Sequence, residues 1–470
     1  MKISYCIPMM NRLFHLKETL QKNILDTNHL DVEFIILNYN SKDKMNEWIF
    51  QNFEKELKSE RVKLYCTEEP QYFKMAHSKN VVAKWGSGDI LVNLDVDNYV
   101  TEGFTEWCIE HFKKNSNIVL GSNPPHPRAC GKIAITKENF YKLKGYDEGF
   151  ESWGFDDIDF VRRAKEIGLK HIEIPEEFFM GLHHDNKLRF ENYKDAKKLL
   201  SLGNELDGNF WKKYKEYSVY DDRKLPITEV NKNGWGECEV KANNWLCEKL
   251  ILLEQKYGGL VQDVKVPRQG TVPENFPPDR KYFYCQGGDR MKSQHHYYAP
   301  IYSKFIEKYI DLDNINVAEV GVLTGSGIAI WSDVFKNGTI YGFDLDLDNY
   351  FNNKDTLVQK GAFKNNNVLV YEFDQYKDNI DYLKTINENK FDIVIDDATH
   401  LIEPTLNTFD SFLPNLKDSF IYIIEDIPNQ FESTVKDLHN QIKDRDSNLN
   451  IYYENQFSVI TKCFDYKFGE

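Results

Sequence analysis

Short apolar runs, each closed by turn residues and followed by a helical stretch, recur near both ends of the chain. Ile3–Ile7, Val32–Leu37 (VEFIIL) and Ile90–Leu94 fit strands of a sheet covered on both faces, where continuous apolar runs replace strict alternation. Between them, Leu13–Ile24 puts Leu13, Leu16, Leu20 and Ile24 on one helical face. A helix holding Trp48 and Phe50 follows the turn Asn38-Tyr39-Asn40-Ser41-Lys42-Asp43, and Met75–Trp85 carries Ala76, Val82 and Ala83. Strand, helix, strand in this order predicts a parallel sheet. The alternation returns later in Val317–Val320, a helix through Ile328, Ile330 and Trp331, and strands at Thr339–Phe343, Phe391–Ile395 and Phe420–Ile424. The pattern predicts an α/β chain with two Rossmann-like doubly wound domains joined by a mostly helical middle segment.

Acidic residues gather where those strands end. Leu91–Asn98 reads LVNLDVDN; strand side chains alternate, so Asp95 and Asp97 share a face and repel unless a cation lies between them. Open α/β sheets bind ligands outside the carboxyl ends of their strands, and hard cations take carboxylate oxygens while leaving positions for a diphosphate. Gly145–Gly168 (GYDEGFESWGFDDIDFVRRAKEIG) places an acidic cluster at the start of a helix whose buried side is Ile158, Val161, Ala164 and Ile167.

Composition narrows the partners. With 59 basic and 74 acidic residues in 470, the net charge of −15 argues against nucleic acid or an anionic membrane surface. The length favours two or three domains. We place them at 1–193, at 194–278 (helical, ending in the four-proline connector VPRQGTVPENFPPDR) and at 279–470. The eight cysteines are scattered without a Cys-x-x-Cys pair, as expected for reduced thiols. No leader or spanning segment is expected, which points to a cytoplasmic protein without a transmembrane segment.

The order of PMMNR, NYNSKD, AHSKN and GDILVNLDVDN resembles the GT-A nucleotide-sugar glycosyltransferases. The resemblance implies that Pro8, Arg12 and Asn38, with Lys79 and Asn80, surround the nucleotide. Asp95 would meet the ribose or the metal, and Asp97 would bind manganese or magnesium. Asn38 stands where relatives often carry an Asp. The Trp153–Asp159 region is similar to the WGGEDDD-type segment of β-1,4-galactosyltransferases and their N-acetylgalactosaminyl relatives. That likeness implies Asp157 as general base, with Trp153 and Asp156 beside the donor or acceptor. Phe178–Asp185 repeats that family's Met-x-x-His arrangement, implying Met180 and His183 in the metal shell, with His184 the runner-up. An inverting transfer from a nucleotide-sugar, UDP-sugar favoured, to a glycan hydroxyl follows.

Asn316–Gly327 (NVAEVGVLTGSG) is a strand running into Gly321, Gly325 and Gly327 at a helix start. Asp344 lies about 20 residues on, where an acid can hydrogen-bond ribose hydroxyls. Asp396-Asp397-Ala398-Thr399-His400 and Glu425-Asp426 close two further strands that would lie side by side. These motifs, with GGDRMKSQHHYYAPIY and EFDQ, resemble the metal-dependent sugar O-methyltransferases of the macrolide-tailoring type. The resemblance implies S-adenosylmethionine beside Glu319, Gly321, Gly325, Ser326 and Asp344, with Asp374 and Gln375 at the adenine edge. It implies magnesium on Asp397, Glu425 and Asp426, and His400 as general base. Asp289 with His295 or His296 would close over the site. The family's DDGSH is DDATH here. The combined reading is a bifunctional enzyme of polysaccharide biosynthesis. The alternatives are a glycosyltransferase with a non-catalytic or hydroxylase-like second domain, or a nucleotide-sugar-binding scaffold.

Overall fold

The apolar runs form strands whose side chains are buried on both faces, as in β1 (Ile3–Met9) and β2 (Val32–Tyr39). The computed structural model describes residues 1–122, 131–202, 230–242, 244–260, 290–292, 296–365, 367–427 and 432–462. It divides into two compact units, Met1–Trp245 and Leu246–Glu470.

In the first unit the further strands are β3 (Val62–Thr67), β4 (Ile90–Asn93), β5 (Ile118–Gly121), β6 (Ile133–Thr136), β7 (Lys170–Glu173) and β8 (Lys241–Ala242). Their order among the described residues is β7-β5-β6-β4-β1-β2-β3-β8. β3, β2, β1 and β4 run parallel, and β6 pairs with β4 antiparallel. The first four strands therefore open their carboxyl ends on one rim. The opposite rim is held by Glu33, which accepts hydrogen bonds from Ser4 Oγ and Ser87 N at 2.6 Å and pairs with Lys2 at 2.9 Å. Burial works against its charge, yet these donors hold it down to about 2.

The second unit contains β9 (Asn316–Val320), β10 (Thr339–Asp344), β11 (Asn367–Glu372), β12 (Phe391–Asp396), β13 (Leu416–Ile424), β14 (Asn450–Glu454) and β15 (Phe457–Lys462). The order is β11-β10-β9-β12-β13-β15-β14, with β15 antiparallel to its neighbours. Chain order reverses at β9, so β10 and β12 flank it and leave a crevice at its carboxyl end.

The segment expected between the domains divides. Residues 230–242 join the first unit, where β8 pairs with β3, and the helix Trp245–Tyr257 runs into the second. The helix expected from 194 to 217 is described only as Ala196–Ser201, and the 266–280 connector lies outside the described residues.

Candidate active sites

In the first unit the chain leaves β4 and turns through Asp95, whose carbonyl accepts from Asn98 N at 2.9 Å. Asn98 then bridges antiparallel to Gly181; Tyr99 N donates to Met180 O at 2.9 Å and Leu182 N to Asp97 O at 2.8 Å. This short pairing carries His184 onto the acid, with Nε2 2.9 Å from Asp97 Oδ2. Burial alone would raise the Asp97 carboxyl, but the His184 hydrogen bond holds it below its ordinary value. The imidazole on Asp97 is thus the second histidine of the pair. His183 and His184 both line an open cleft of about 710 Å³ with Phe14, His15 and Glu18, and the Met180 side chain is 40% exposed.

A residue the sequence did not single out locks this pairing. Lys132, fully buried, donates from Nζ to Tyr99 O at 2.8 Å, to Phe178 O at 2.5 Å and to Val100 O at 3.3 Å. Its neighbours are carbonyls, and burial brings its ammonium down to about 7.

The acids of the second motif begin the helix Asp156–Glu166, entered through left-handed residues Gly154 (φ 88°) and Phe155 (φ 68°). Arg163 of this helix, buried, pairs with Asp159 at 2.7 Å and donates to Leu143 O and Gly145 O, fixing the helix against the preceding loop. Lys79 Nζ reaches Asp156 Oδ2 and Asp157 Oδ1, both at 2.7 Å. Burial opposes the Lys79 charge, but Asp156 and then Asp157 raise it well above the ordinary value. Burial first, then the Asp156 carboxylate, push Asp157 up to about 8.

Several residues expected around the nucleotide are turned inward. Lys79 serves the two acids, and Asn80 spans Tyr146 O, Glu148 Oε1 and Tyr146 N. Asn38 bonds Asn46 and Ser41 N, and Pro8 is buried in β1. Arg12 pairs with Glu191 at 2.5 Å and donates to Leu188 O. Trp153 packs edge-on against Phe190, with the Arg189 guanidinium over its ring. The motifs placed these residues near the rim, but polar groups buried by folding must find partners, and these found them within the protein.

In the second unit the glycines are explained by close approach. Gly321 has φ 101°, and a Cβ there would lie 2.1 Å from Asp397 O; a Cβ on Gly327 would lie 2.1 Å from Glu319 Oε1. Gly325 precedes Ser326 at the start of the helix Ser326–Val334, whose first backbone N–H groups face the crevice end of β9. Asp344 accepts from Leu323 N at 2.9 Å and Asp346 N at 3.1 Å, which ties β10 to the glycine loop. Asp374 pairs with Lys377 at 3.2 Å. Gln375, expected at the adenine edge, is buried: its amide donates to Asp396 Oδ1 and Thr408 Oγ1 at 2.9 Å and accepts from Thr399 N. It shapes the DDATH loop from within.

The acids do meet. Arg290 Nη1 lies 2.7 Å from Glu319 Oε1 and its Nε 3.1 Å from Glu425 Oε2, while Nη2 pairs with Asp397 Oδ2. Tyr302 donates to the other oxygen of Glu425. His400 (φ 55°) and Asp426 (φ 54°) both take left-handed backbone, a conformation retained where the surroundings impose it. His400 Nε2 stands 3.9 Å from Asp397 Oδ1 and 4.0 Å from Asp426 Oδ2, and a ligand atom of each residue lies within 4.8 Å of the others. Tyr298 donates to Asp426 at 2.6 Å, and His296 Nδ1 is 3.2 Å from the same oxygen. Asp289 and His295 lie outside the described residues.

In the second unit Asp397, Asp426 and His400 lie close enough together to hold a divalent ion, and in the first His184 pairs with Asp97, which acts electrostatically on Asp95. Glu425, expected as a third acid ligand, shares Arg290 with Asp397 and accepts from Tyr302.

Residues 123–186 match the family described as the N-terminal domain of galactosyltransferase. A 58-residue stretch, 12% of this chain, is 40% identical to chondroitin synthase of Pasteurella multocida (strain Pm70) and covers 6% of it. Another of 139 residues, 28% of the chain, is 24% identical to demethylmacrocin O-methyltransferase of Streptomyces fradiae and covers 32% of it. The chain thus spans a third or less of these relatives' length. Among solved structures, the MycE methyltransferase from the mycinamycin biosynthetic pathway, in complex with Mg and SAH, aligns over 38% of this chain and 53% of its own, at 20% identity and a TM-score of 0.30. One chain thus carries a stretch similar to glycosyltransferases and another similar to O-methyltransferases.

Proposed function

We propose that the chain is a bifunctional glycan-modifying enzyme that transfers a sugar from a nucleotide-sugar, UDP-sugar favoured, to a glycan hydroxyl and methylates a sugar hydroxyl from S-adenosylmethionine. The observation that carries this reading is that Asp397, His400 and Asp426 converge at the carboxyl rim of the second sheet, while in the first unit His184 meets Asp97 just beyond β4.

In the first unit Asp157 takes the proton of the acceptor hydroxyl as that oxygen bonds to the anomeric carbon; the bond to the diphosphate breaks and the configuration inverts. Asp95, Asp97 and His184 would hold Mn2+ or Mg2+, which supplies charge neutralisation to the departing diphosphate. Lys79 keeps Asp156 and Asp157 in place and stabilises the carboxylate that must form. In the second unit the glycine loop and the Asp344 end of β10 frame the cofactor, and His400 removes the proton from a sugar hydroxyl. That oxygen takes the methyl group, and S-adenosylhomocysteine leaves. Asp397 and Asp426 would hold Mg2+, which supplies polarisation of the hydroxyl. Cys6, Cys108 and Cys238 are free thiols, which supports a reducing compartment such as the cytoplasm. No helix among the described residues is long and apolar enough to cross a membrane.

The test is a pair of assays on one preparation: labelled UDP-sugars and labelled S-adenosylmethionine, each with glycan acceptors and Mn2+ or Mg2+. Label in a glycan from both donors supports the reading, and label from neither ends it. The Lys79 clamp on Asp157 favours one second reading, a first unit that binds nucleotide-sugar without transferring it; stable binding with no turnover at any pH would select it.

A further inference from the structure

Arg290 is the residue in the second unit whose role the motifs leave open. It sits in a prepared place. Glu254, buried on the helix Trp245–Tyr257, accepts from Met291 N at 2.7 Å and Lys292 N at 3.0 Å, and Arg290 O accepts from Tyr298 N at 3.2 Å. The backbone is thus fixed on both sides of the arginine, and its guanidinium, 12% exposed, passes over the Trp331 ring into the crevice. There it meets three carboxylates from three different strands: Glu319 on β9, Asp397 after β12 and Glu425 after β13. Glu319 belongs to the cofactor side of the crevice, and Asp397 and Glu425 to the cation side.

Three carboxyl groups thus share one guanidinium, with Asp426 next in the chain to Glu425, so a cation that takes up carboxylate oxygen on one side frees N–H groups for the other.

We propose, resting on the methyltransferase reading, that Arg290 is a binding residue shared by the cation and the cofactor. In this structure it pairs with Asp397 and Glu425. A divalent ion takes Asp397 from it, and the freed N–H groups turn to the carboxylate of the cofactor's amino-acid end beside Glu319. Each ligand therefore tightens the other, and the coupling runs through one guanidinium.

The experiment titrates Mn2+ into the full chain by calorimetry, with and without S-adenosylhomocysteine. Asp97→Ala serves as the background, so that only the second unit's site is read. Mn2+ is expected to bind about tenfold tighter with S-adenosylhomocysteine present. In Arg290→Met, Mn2+ alone binds several-fold tighter than in the background chain, because a competing charge is gone, and S-adenosylhomocysteine no longer changes it. Arg290→Lys keeps the charge without the fork and retains less than half of the coupling. Mn2+ binding that is unchanged or weaker in Arg290→Met, or coupling that persists there, overturns the proposal. Should Arg290→Met lose its cooperative melt, the lysine variant decides, and full coupling in it overturns the proposal. Binding of both ligands without coupling in the background chain removes this inference alone, whereas failure to bind S-adenosylhomocysteine removes the methyltransferase reading with it.

Discussion

Each unit buries a long cation among the acids of its candidate site, but the two are arranged differently. In the first, Lys79 pairs with Asp156 and Asp157 of the helix Asp156–Glu166, while Asp97, on a segment after β4, pairs with His184. On the proposed reading, proton handling falls to the helix and cation binding to the segment after β4. In the second, the Arg290 fork spans a cofactor-side acid and two cation-side acids at once. A compact ammonium is a point charge, while a planar fork joins several groups, so on the proposed reading Lys79 tunes a base where Arg290 links two ligands.

The comparison breaks most sharply if the units are not independent catalysts. Asp157→Asn is expected to lower sugar transfer by about 10²–10⁴-fold, the usual worth of a general base, with methyl transfer from the same preparation unchanged. Asp426→Ala is the mirror experiment: methyl transfer falls about a hundredfold while sugar transfer holds. Loss of both activities in either variant would mean the sites act as one. A smaller effect separates ligand from support. Lys132 touches backbone carbonyls on both sides of the Asn98–Gly181 bridge, so Lys132→Met should weaken Mn2+ binding at the first site about tenfold, with partial recovery in Lys132→Arg. Titration by electron paramagnetic resonance in an Asp426→Ala background reads this directly.

What the sequence revealed follows the range of its signals. The apolar stripe placed the helix Asp156–Glu166 because that pattern is local, whereas Asp95 and Asp97 lie past β4 in a turn, beyond the reach of strand alternation. Asp397, His400 and Asp426 were brought together by the rule that successive parallel strands neighbour one another, and β12 and β13 do. The cations escaped because their partners are remote: Lys79 is 77 residues from Asp156 and Arg290 107 from Asp397. Gln375 and Asn80 show the converse. Each lies in a stretch the motifs place near a ligand, yet each turns into the protein to satisfy a buried loop, which no spacing announces. The strands β5, β6 and β7 were not marked as elements either, being four residues each.

The gentlest way to sharpen the contrast is pH, because only the first unit has a base whose proton is set by a buried cation. Asp157 moves from 3.8 to about 8, raised by burial and by Asp156 and opposed by Lys79. A general base works as the carboxylate, so sugar transfer should climb between pH 6 and 8 and level off above. The same shift acts on stability. The folded chain keeps a proton that the unfolded chain releases above 3.8, so this contribution is complete at low pH and fades as pH rises through about 8. Lys79→Met removes the one group that eases ionisation, so its rate limb should move to higher pH while the rate at the plateau changes less. An unmoved limb in Lys79→Met would separate the lysine from the base, and the two buried cations would then differ only in place.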